Sequence, residues 1–166
     1  NTMSTNASLN HVVTDIDLHM TTATAGEYQP FKLSDYRGKT VILYFYPKDS
    51  TPGCTNESIA FRENIGSFTQ ANAVIFGISR DSLKSHDRFK ANLELPFELI
   101  SDPEEALCRQ FDVIKQKMMY GKQVVGIERS TFVIDAQGTL IHEWRKVKVD
   151  GHVDEVLAFV RTLSND

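Results

Sequence analysis

Val41-Ile-Leu-Tyr-Phe-Tyr-Pro47-Lys-Asp-Ser-Thr51-Pro-Gly-Cys54 is the segment from which the fold is most clearly predicted. Its apolar beginning, up to Pro47, predicts a buried strand, and the polar residues with Pro and Gly that follow predict a loop as far as Gly53. From Cys54 onward the period changes to that of a helix. A strand, a tight loop and a helix that opens on a cysteine therefore follow one another here.

The helix that starts at Cys54 has a single stripe of residues facing one way. A helix N-terminus presents unpaired N–H groups and a partial positive charge, which favour the thiolate, the nucleophilic form of cysteine. A lone cysteine on such a stripe can equally be a buried structural residue, and the loop before it favours the reactive alternative. The stripe consists of Cys54, Ser58, Phe61, Ile65 and Phe68.

Strand and helix patterns alternate along most of the remaining chain. A late hairpin and a final amphipathic helix end the order, which predicts an α/β thioredoxin-like fold: a mixed central β-sheet with helices on both faces. The predicted strands are 73–79, 96–100, 130–135 and 139–144, and the predicted helices are 81–93 with Asp81 as N-cap, 103–111, and one that follows Gly151.

The length of 166 residues, 41% of them hydrophobic, suits one globular domain. We assign residues 11–166 to it and expect the polar segment 1–10 to be disordered. The net charge is -4, and the basic residues are scattered, so nucleic acid and membranes are not expected partners. Two cysteines and no signal-peptide pattern lead us to expect a cytoplasmic protein.

The loop and helix start resemble a known active-site motif. Pro47-x-x-x-Thr51-x-x-Cys54 resembles that of the peroxiredoxins, and Tyr44-Phe-Tyr-Pro-Lys followed by Thr-Pro-Gly-Cys-Thr is similar to the bacterioferritin comigratory protein branch, or Q type. The resemblance covers most of the chain. It extends to Leu33-Ser-Asp-Tyr-Arg-Gly-Lys39, Gly77-Ile-Ser79, Leu99-Ile-Ser-Asp102 and Gly126-Ile-Glu-Arg129-Ser-Thr-Phe-Val-Ile-Asp135.

The resemblance implies a thiol peroxidase in which Cys54 attacks a hydroperoxide and becomes a sulfenic acid. It also implies that Arg129 reaches over the cysteine, favours its thiolate and, with the Thr51 hydroxyl and the N–H groups near Gly53, holds the peroxide oxygens. Pro47 would shield the sulfur from water. No metal or organic cofactor is expected.

Each of these assignments has a plainer alternative. Arg129 could form a surface salt bridge with a neighbour such as Glu128, and Thr51 could serve only as a helix cap. The chain also departs from the Q type, because Ile59 stands where many members carry a resolving cysteine, and the helix 81–93 holds none. We expect Cys108 to be a core cysteine, with an intramolecular or intersubunit disulfide to Cys54 as the alternative.

The resemblance and these departures together predict a one-cysteine enzyme, a monomer or weak dimer, reduced by thioredoxin, glutaredoxin or a small thiol. Glu57 argues against a Cys-x-x-Cys oxidoreductase, and Ser58 argues against a copper carrier with Cys-x-x-x-Cys. The remaining alternative is a non-catalytic redox sensor or interaction module. An interaction patch on the segment Met118-Met119-Tyr120 is compatible with either function, and we expect this segment to be a loop over one side of the active pocket. The histidines show no ligand spacing and are expected to face solvent or bond locally: His11, His19, His86, His142 and His152.

Overall fold

A seven-stranded mixed β-sheet forms the centre of the protein. The structure is a computed structural model that describes residues 6–163. The strands run in the order β2-β1-β5-β4-β3-β8-β9, and β6 and β7 pair separately as a hairpin. The strands are β1 Leu18–Thr21, β2 Tyr28–Phe31, β3 Thr40–Phe45, β4 Ala73–Ser79, β5 Glu98–Ser101, β6 Ile114–Met119, β7 Lys122–Ile127, β8 Ser130–Ile134 and β9 Leu140–Trp144.

The three central strands β3, β4 and β5 are parallel, and the strands on both sides of them are antiparallel. All residues of β3 are buried, as expected for a strand covered on both faces. The helices are the 3-10 helix Leu33–Tyr36 and the α-helices α1 Pro52–Glu63, α2 Ile65–Gln70, α3 Leu83–Leu93, α4 Ala106–Gln110 and α5 His152–Leu163.

The sheet divides the interior into two hydrophobic clusters, because successive side chains of a strand point to opposite faces. Leu43 and Phe45 belong to one cluster, together with residues of α4. Tyr44 and Tyr46 belong to the other, together with residues of α1, α2, α3 and α5. The predicted mixed sheet with helices on both faces is therefore confirmed.

Three local predictions need correction. Ala7 donates its N–H to the Gln110 carbonyl at 2.8 Å, and Asn10 donates to Leu140 at 2.7 Å. The packed chain thus begins inside the segment 1–10 that we expected to be disordered, of which residues 1–5 lie outside the described part. Ser82, not Asp81, caps α3, since its side chain accepts from the N–H of Ser85.

The third correction concerns residues 118–120, which we expected to form a loop. They lie instead at the end of β6 and in the turn of the β6–β7 hairpin, whose register pairs Met119 with Lys122. The Tyr120 side chain is almost fully exposed there. None of the helices within residues 6–163 combines the length and the apolar character that a membrane-spanning segment requires.

Candidate active site

Cys54 lies in the first turn of α1, directly after the loop that leaves β3. Thr51 occupies the N-cap position, and its carbonyl accepts the first helical hydrogen bond, from Thr55 N–H at 2.8 Å. The N–H groups of Gly53 and Cys54 precede that bond and have no intrahelical acceptor. They and the helix dipole favour a negative charge on the sulfur, whose residue is 1% exposed.

Arg129 approaches Cys54 from the start of β8, the strand that lies beside β3 in the sheet. It immediately precedes β8, and β8 pairs with β3 so that Ser130 lies opposite Phe45, at the end of β3 from which the loop departs. This register places the Arg129 guanidinium near the start of α1. Its Nη2 lies 3.4 Å from Cys54 Sγ, within hydrogen-bonding distance for sulfur.

The second arm of the same guanidinium binds a buried carboxylate. Arg129 Nη1 donates to Glu57 Oε1 at 2.7 Å, and the Glu57 side chain is fully buried. The alternative of an exposed ion pair with Glu128 is therefore wrong. Burial raises the pKa of Glu57 from 4.5 to about 7, and the nearby Arg129 only partly opposes this shift.

Sequence reasoning used Glu57 only to exclude a second cysteine and missed it as part of the site. One signal was available: residues three apart on a helix share a face, so Glu57 had to face the same way as Cys54. Within residues 6–163, no partner lies within hydrogen-bonding distance of the other carboxylate oxygen, Oε2.

The electrostatics of the three groups are coupled. Burial lowers the pKa of Arg129, but Glu57 and Cys54 raise it by more, so its pKa ends above the usual value. Arg129 is therefore charged at any physiological pH. A Cβ atom on Gly53 would lie 3.0 Å from Arg129 Nη2, so the glycine lets the guanidinium approach the helix start.

The loop residues named from the sequence lie between β3 and α1. Pro47 follows directly after Tyr46, and Thr51 directly precedes α1. The Thr51 hydroxyl does not cap the helix; it donates to the carbonyl of Lys48 at 2.8 Å. Its oxygen lone pairs remain able to accept a hydrogen bond.

Cys108 lies far from this arrangement in the fold. It is fully buried in α4 and belongs to the hydrophobic cluster on the opposite face of the sheet from Cys54. Burial and the neighbouring Asp102 raise the pKa of its thiol far above the usual value. Both cysteines are free thiols. The structure thus brings together Cys54 and Arg129 and leaves Cys108 apart.

His152 lies close enough to Arg129 to be affected by its charge. His152 Nε2 lies 2.7 Å from the hydroxyl of Thr131, and the ring is buried rather than solvent-facing. Burial, and secondly the charge of Arg129, lower the pKa of His152 to about 4. It is neutral at physiological pH and leaves Arg129 as the cation that faces the sulfur.

This arrangement suits a nucleophilic sulfur held as an anion. A fixed guanidinium and unpaired N–H groups can stabilise the thiolate and a negative charge that develops on an atom bound next to it.

Comparisons with known proteins agree with this chemistry. The model of the AhpC/TSA family matches residues 11–143. Peroxiredoxin Bcp of Xanthomonas campestris pv. campestris is 56% identical over 129 residues, which cover 78% of this chain and 81% of that protein. Peroxiredoxin Bcp of Bacillus subtilis is 54% identical over 133 residues, covering 80% of this chain and 85% of its own.

Solved structures give the same result for the fold. A structure of Xanthomonas campestris peroxiredoxin Q superposes with a TM-score of 0.83 at 49% identity and covers 90% of this chain and 92% of its own. The structure of a Xylella fastidiosa PrxQ mutant gives a TM-score of 0.84 at 42% identity and covers 99% of both chains.

Proposed function

This chain belongs to the AhpC/TSA family and is a thiol peroxidase, a peroxiredoxin of the Q type, and we propose that it reduces hydroperoxides by a one-cysteine cycle at Cys54. The observation that carries the proposal is the 3.4 Å contact between Arg129 Nη2 and Cys54 Sγ. It brings a permanent cation to a sulfur that already lies at a helix N-terminus.

In the first step the Cys54 thiolate attacks one peroxide oxygen. An S–O bond forms, the O–O bond breaks, and the sulfur is oxidised to a sulfenic acid while the peroxide is reduced to an alkoxide or hydroxide. A proton then converts that leaving group to an alcohol or water. Negative charge therefore moves from the sulfur to the leaving oxygen during the step.

The groups around the sulfur are suited to follow that movement of charge. Arg129 can donate from Nη2 to either oxygen, and the N–H groups of Gly53 and Cys54 point out of the first turn of α1. The Thr51 oxygen can accept a hydrogen bond from the peroxide O–H with a free lone pair. Pro47 and the burial of Cys54 keep bulk water away from the sulfur.

In the second step an external thiol reduces the sulfenic acid. Its sulfur bonds to Cys54 with loss of water, and a second thiol then releases Cys54 and forms the reductant's disulfide. Thioredoxin, glutaredoxin and a small thiol all have this chemistry. Because the cycle needs a reducing supply of thiols, a cytoplasmic location is part of the proposal.

The position of Cys108 supports an external reductant. A disulfide requires the two Cα atoms to lie within about 7 Å of each other, and the β-sheet separates Cys108 from Cys54. The raised pKa of Cys108 also keeps this thiol protonated and unreactive.

The proposed substrates are hydrogen peroxide and organic hydroperoxides. One solved structure of the Xanthomonas campestris bacterioferritin comigratory protein, 49% identical to this chain, is described in terms of that protein's alkyl peroxide reduction activity. We carry this substrate class over to the present chain as part of the proposal.

The test follows the loss of hydrogen peroxide and cumene hydroperoxide in the presence of dithiothreitol. Wild type and Cys108→Ser should both turn over, while Cys54→Ser should be inactive. After oxidation without reductant, the intact mass of the wild type should rise by one oxygen, and dimedone should label Cys54.

Two results would contradict parts of the proposal. An inactive Cys108→Ser together with a wild-type mass that falls by two hydrogens would replace the one-cysteine cycle with a disulfide cycle. No peroxide loss in the wild type would favour a redox sensor or interaction module instead.

A further inference from the structure

A buried carboxylate anchors the loop between β3 and α1. Asp49 is 6% exposed, although its neighbours Lys48 and Ser50 face solvent. Its Oδ1 accepts from the hydroxyl of Tyr46 at 2.7 Å. Its Oδ2 accepts from the hydroxyl of Ser85 in α3 at 2.8 Å, so the loop is tied to a helix distant in sequence.

The imidazole of His86 makes the third contact with this carboxylate. His86 is fully buried, and its Nδ1 lies 2.7 Å from Asp49 Oδ2. Its Nε2 lies 2.9 Å from the carbonyl of Ile100, which can only accept, so Nε2 carries a proton. One further proton must therefore lie between Nδ1 and Oδ2, on the imidazole or on the carboxyl group, so that these two atoms share a hydrogen bond.

The backbone of the loop is fastened at the same residue. The N–H of Asp49 donates to Asp81 Oδ2 at 2.8 Å. The same oxygen accepts from the hydroxyl of Ser79 at 2.5 Å, and the carbonyl of Asp81 accepts from Ser101 at 2.6 Å. Asp49 is thus held at its side chain by α3 and at its main chain by Asp81, which β4 and β5 hold in turn.

A cation site is the competing interpretation of this cluster. One potential ligand atom from each of Asp49, Asp81 and His86 lies within 4.8 Å of the others. Those atoms already have hydrogen-bond partners, however, and both ring nitrogens of His86 are in use. A metal would have to break this network, so the geometry favours a hydrogen-bonded anchor.

The loop needs such an anchor because part of it is strained. Ser50 has a φ of 65°, in the left-handed region that residues other than glycine seldom adopt. Such a conformation persists only where its surroundings enforce it. Ser50 directly precedes Thr51, whose carbonyl starts α1 and whose hydroxyl faces back to Lys48.

We propose that Asp49, held by His86, is a positioning residue for the peroxidase reaction. It fixes the loop so that Pro47 and Thr51 keep their places beside Cys54, although Asp49 itself touches neither the substrate nor the sulfur. This inference rests on the proposed function, because the geometry that Asp49 protects is that of the peroxide site.

The experiment compares two reactions of Cys54 in Asp49→Ala and Asp49→Asn. Reaction with hydrogen peroxide needs the loop in place, whereas alkylation by iodoacetamide needs only an accessible thiolate. In Asp49→Ala the second-order rate constant with peroxide should fall by about tenfold to a hundredfold. The alkylation rate constant should not fall.

Asp49→Asn should react with peroxide within about threefold of wild type, because its amide can donate to a neutral His86 while its carbonyl accepts from Tyr46. Asp87→Ala is the matched control. Asp87 is the next residue of α3, but it binds Gly26 and Tyr28 at the surface, so its removal should change neither rate constant.

Several outcomes would overturn the inference. In the first, Asp49→Ala reacts with peroxide as fast as the wild type does. In the second, its rate constants with peroxide and with iodoacetamide fall by the same factor. In the third, Asp49→Asn reacts with peroxide as slowly as Asp49→Ala. If Asp49→Ala cannot be purified folded, Ser85→Ala removes one donor from Asp49, and a peroxide rate constant unchanged from wild type would then count against the inference. A wild type that does not react with peroxide refutes the proposed function instead.

Discussion

Glu57 and Arg129 form an ion pair that water hardly reaches: Oε1 lies 2.7 Å from Nη1, and the side chains are 0% and 15% exposed, respectively. Removing one partner of such a pair leaves a buried charge, which is strongly unfavourable. The pair therefore fixes the guanidinium, whose other arm lies against Cys54. Glu57 acts on the sulfur through Arg129.

Arg129→Lys should lower the second-order rate constant with hydrogen peroxide by about a hundredfold to a thousandfold. A single ammonium cannot reproduce the two separate arms that contact Cys54 and Glu57. Stopped-flow measurement of peroxide consumption checks this. Arg80→Lys is the control, since Arg80 pairs with Glu105 outside the site, and it should behave as wild type. An active Arg129→Lys would show that charge alone suffices.

Glu57→Gln should remove a pH dependence from the stability of the protein. Because burial raises the pKa of Glu57 from 4.5 to about 7, the folded protein keeps a proton there that the unfolded chain loses. The stabilisation is fully present below pH 4.5 and is lost as the pH rises through about 7, amounting to about 3 kcal/mol.

Urea unfolding of wild type and Glu57→Gln between about pH 5 and pH 8 measures this difference. The wild type should lose stability relative to the variant as the pH rises. Glu63→Gln, at the exposed end of the same helix, should follow the wild type at every pH. A constant difference between wild type and Glu57→Gln across that range would contradict the raised pKa.

Gly53→Ala should separate activity from stability. Its Cβ would lie 3.0 Å from Arg129 Nη2, and Glu57 prevents the guanidinium from moving away freely. We expect the peroxide rate constant to fall by about tenfold. The free energy of unfolding should change little, because the higher helix propensity of alanine, up to about 1 kcal/mol, offsets the cost of the close contact with Arg129.

The control for Gly53→Ala is Asn56→Ala, which adds helix propensity on an exposed face of α1. It should leave the peroxide rate constant unchanged. An equally slow Asn56→Ala would show that the composition of the helix, and not the approach of Arg129, limits the reaction.

Gly77→Ala should destabilise the protein by about 1–3 kcal/mol. A Cβ there would lie 2.8 Å from both Leu99 Cδ2 and Tyr44 Cζ, in the middle of a packed cluster. Gly66→Ala is the opposite case, since a Cβ on this helical glycine meets nothing within 4 Å. It should stabilise the protein by up to about 1 kcal/mol. Thermal and urea unfolding compare the two, and equal effects would contradict this account.

The order of the strand, loop and helix around the site could be predicted from local sequence patterns. The apolar run of β3, the Pro- and Gly-bearing loop and the stripe that begins at Cys54 are local patterns, and short-range periodicity is what a sequence displays directly. The absence of cysteine at position 59 and in the helix after β4 could be read from the sequence in the same way. The β6–β7 hairpin was not predicted, and the N-cap of α3 was placed one residue too early, because packing and turn geometry set these features.

The tertiary structure alone decided which of these groups meet. Arg129 pairs with Glu57, 72 residues away, and not with the adjacent Glu128, because the register of β8 against β3 directs it to the start of α1. Asp49 meets His86, 37 residues away, in the same manner. Cys54 in α1 and Cys108 in α4 likewise belong to the two hydrophobic clusters that lie on opposite faces of the sheet. These contacts depend on how distant segments pack together, and no local pattern in the chain encodes them.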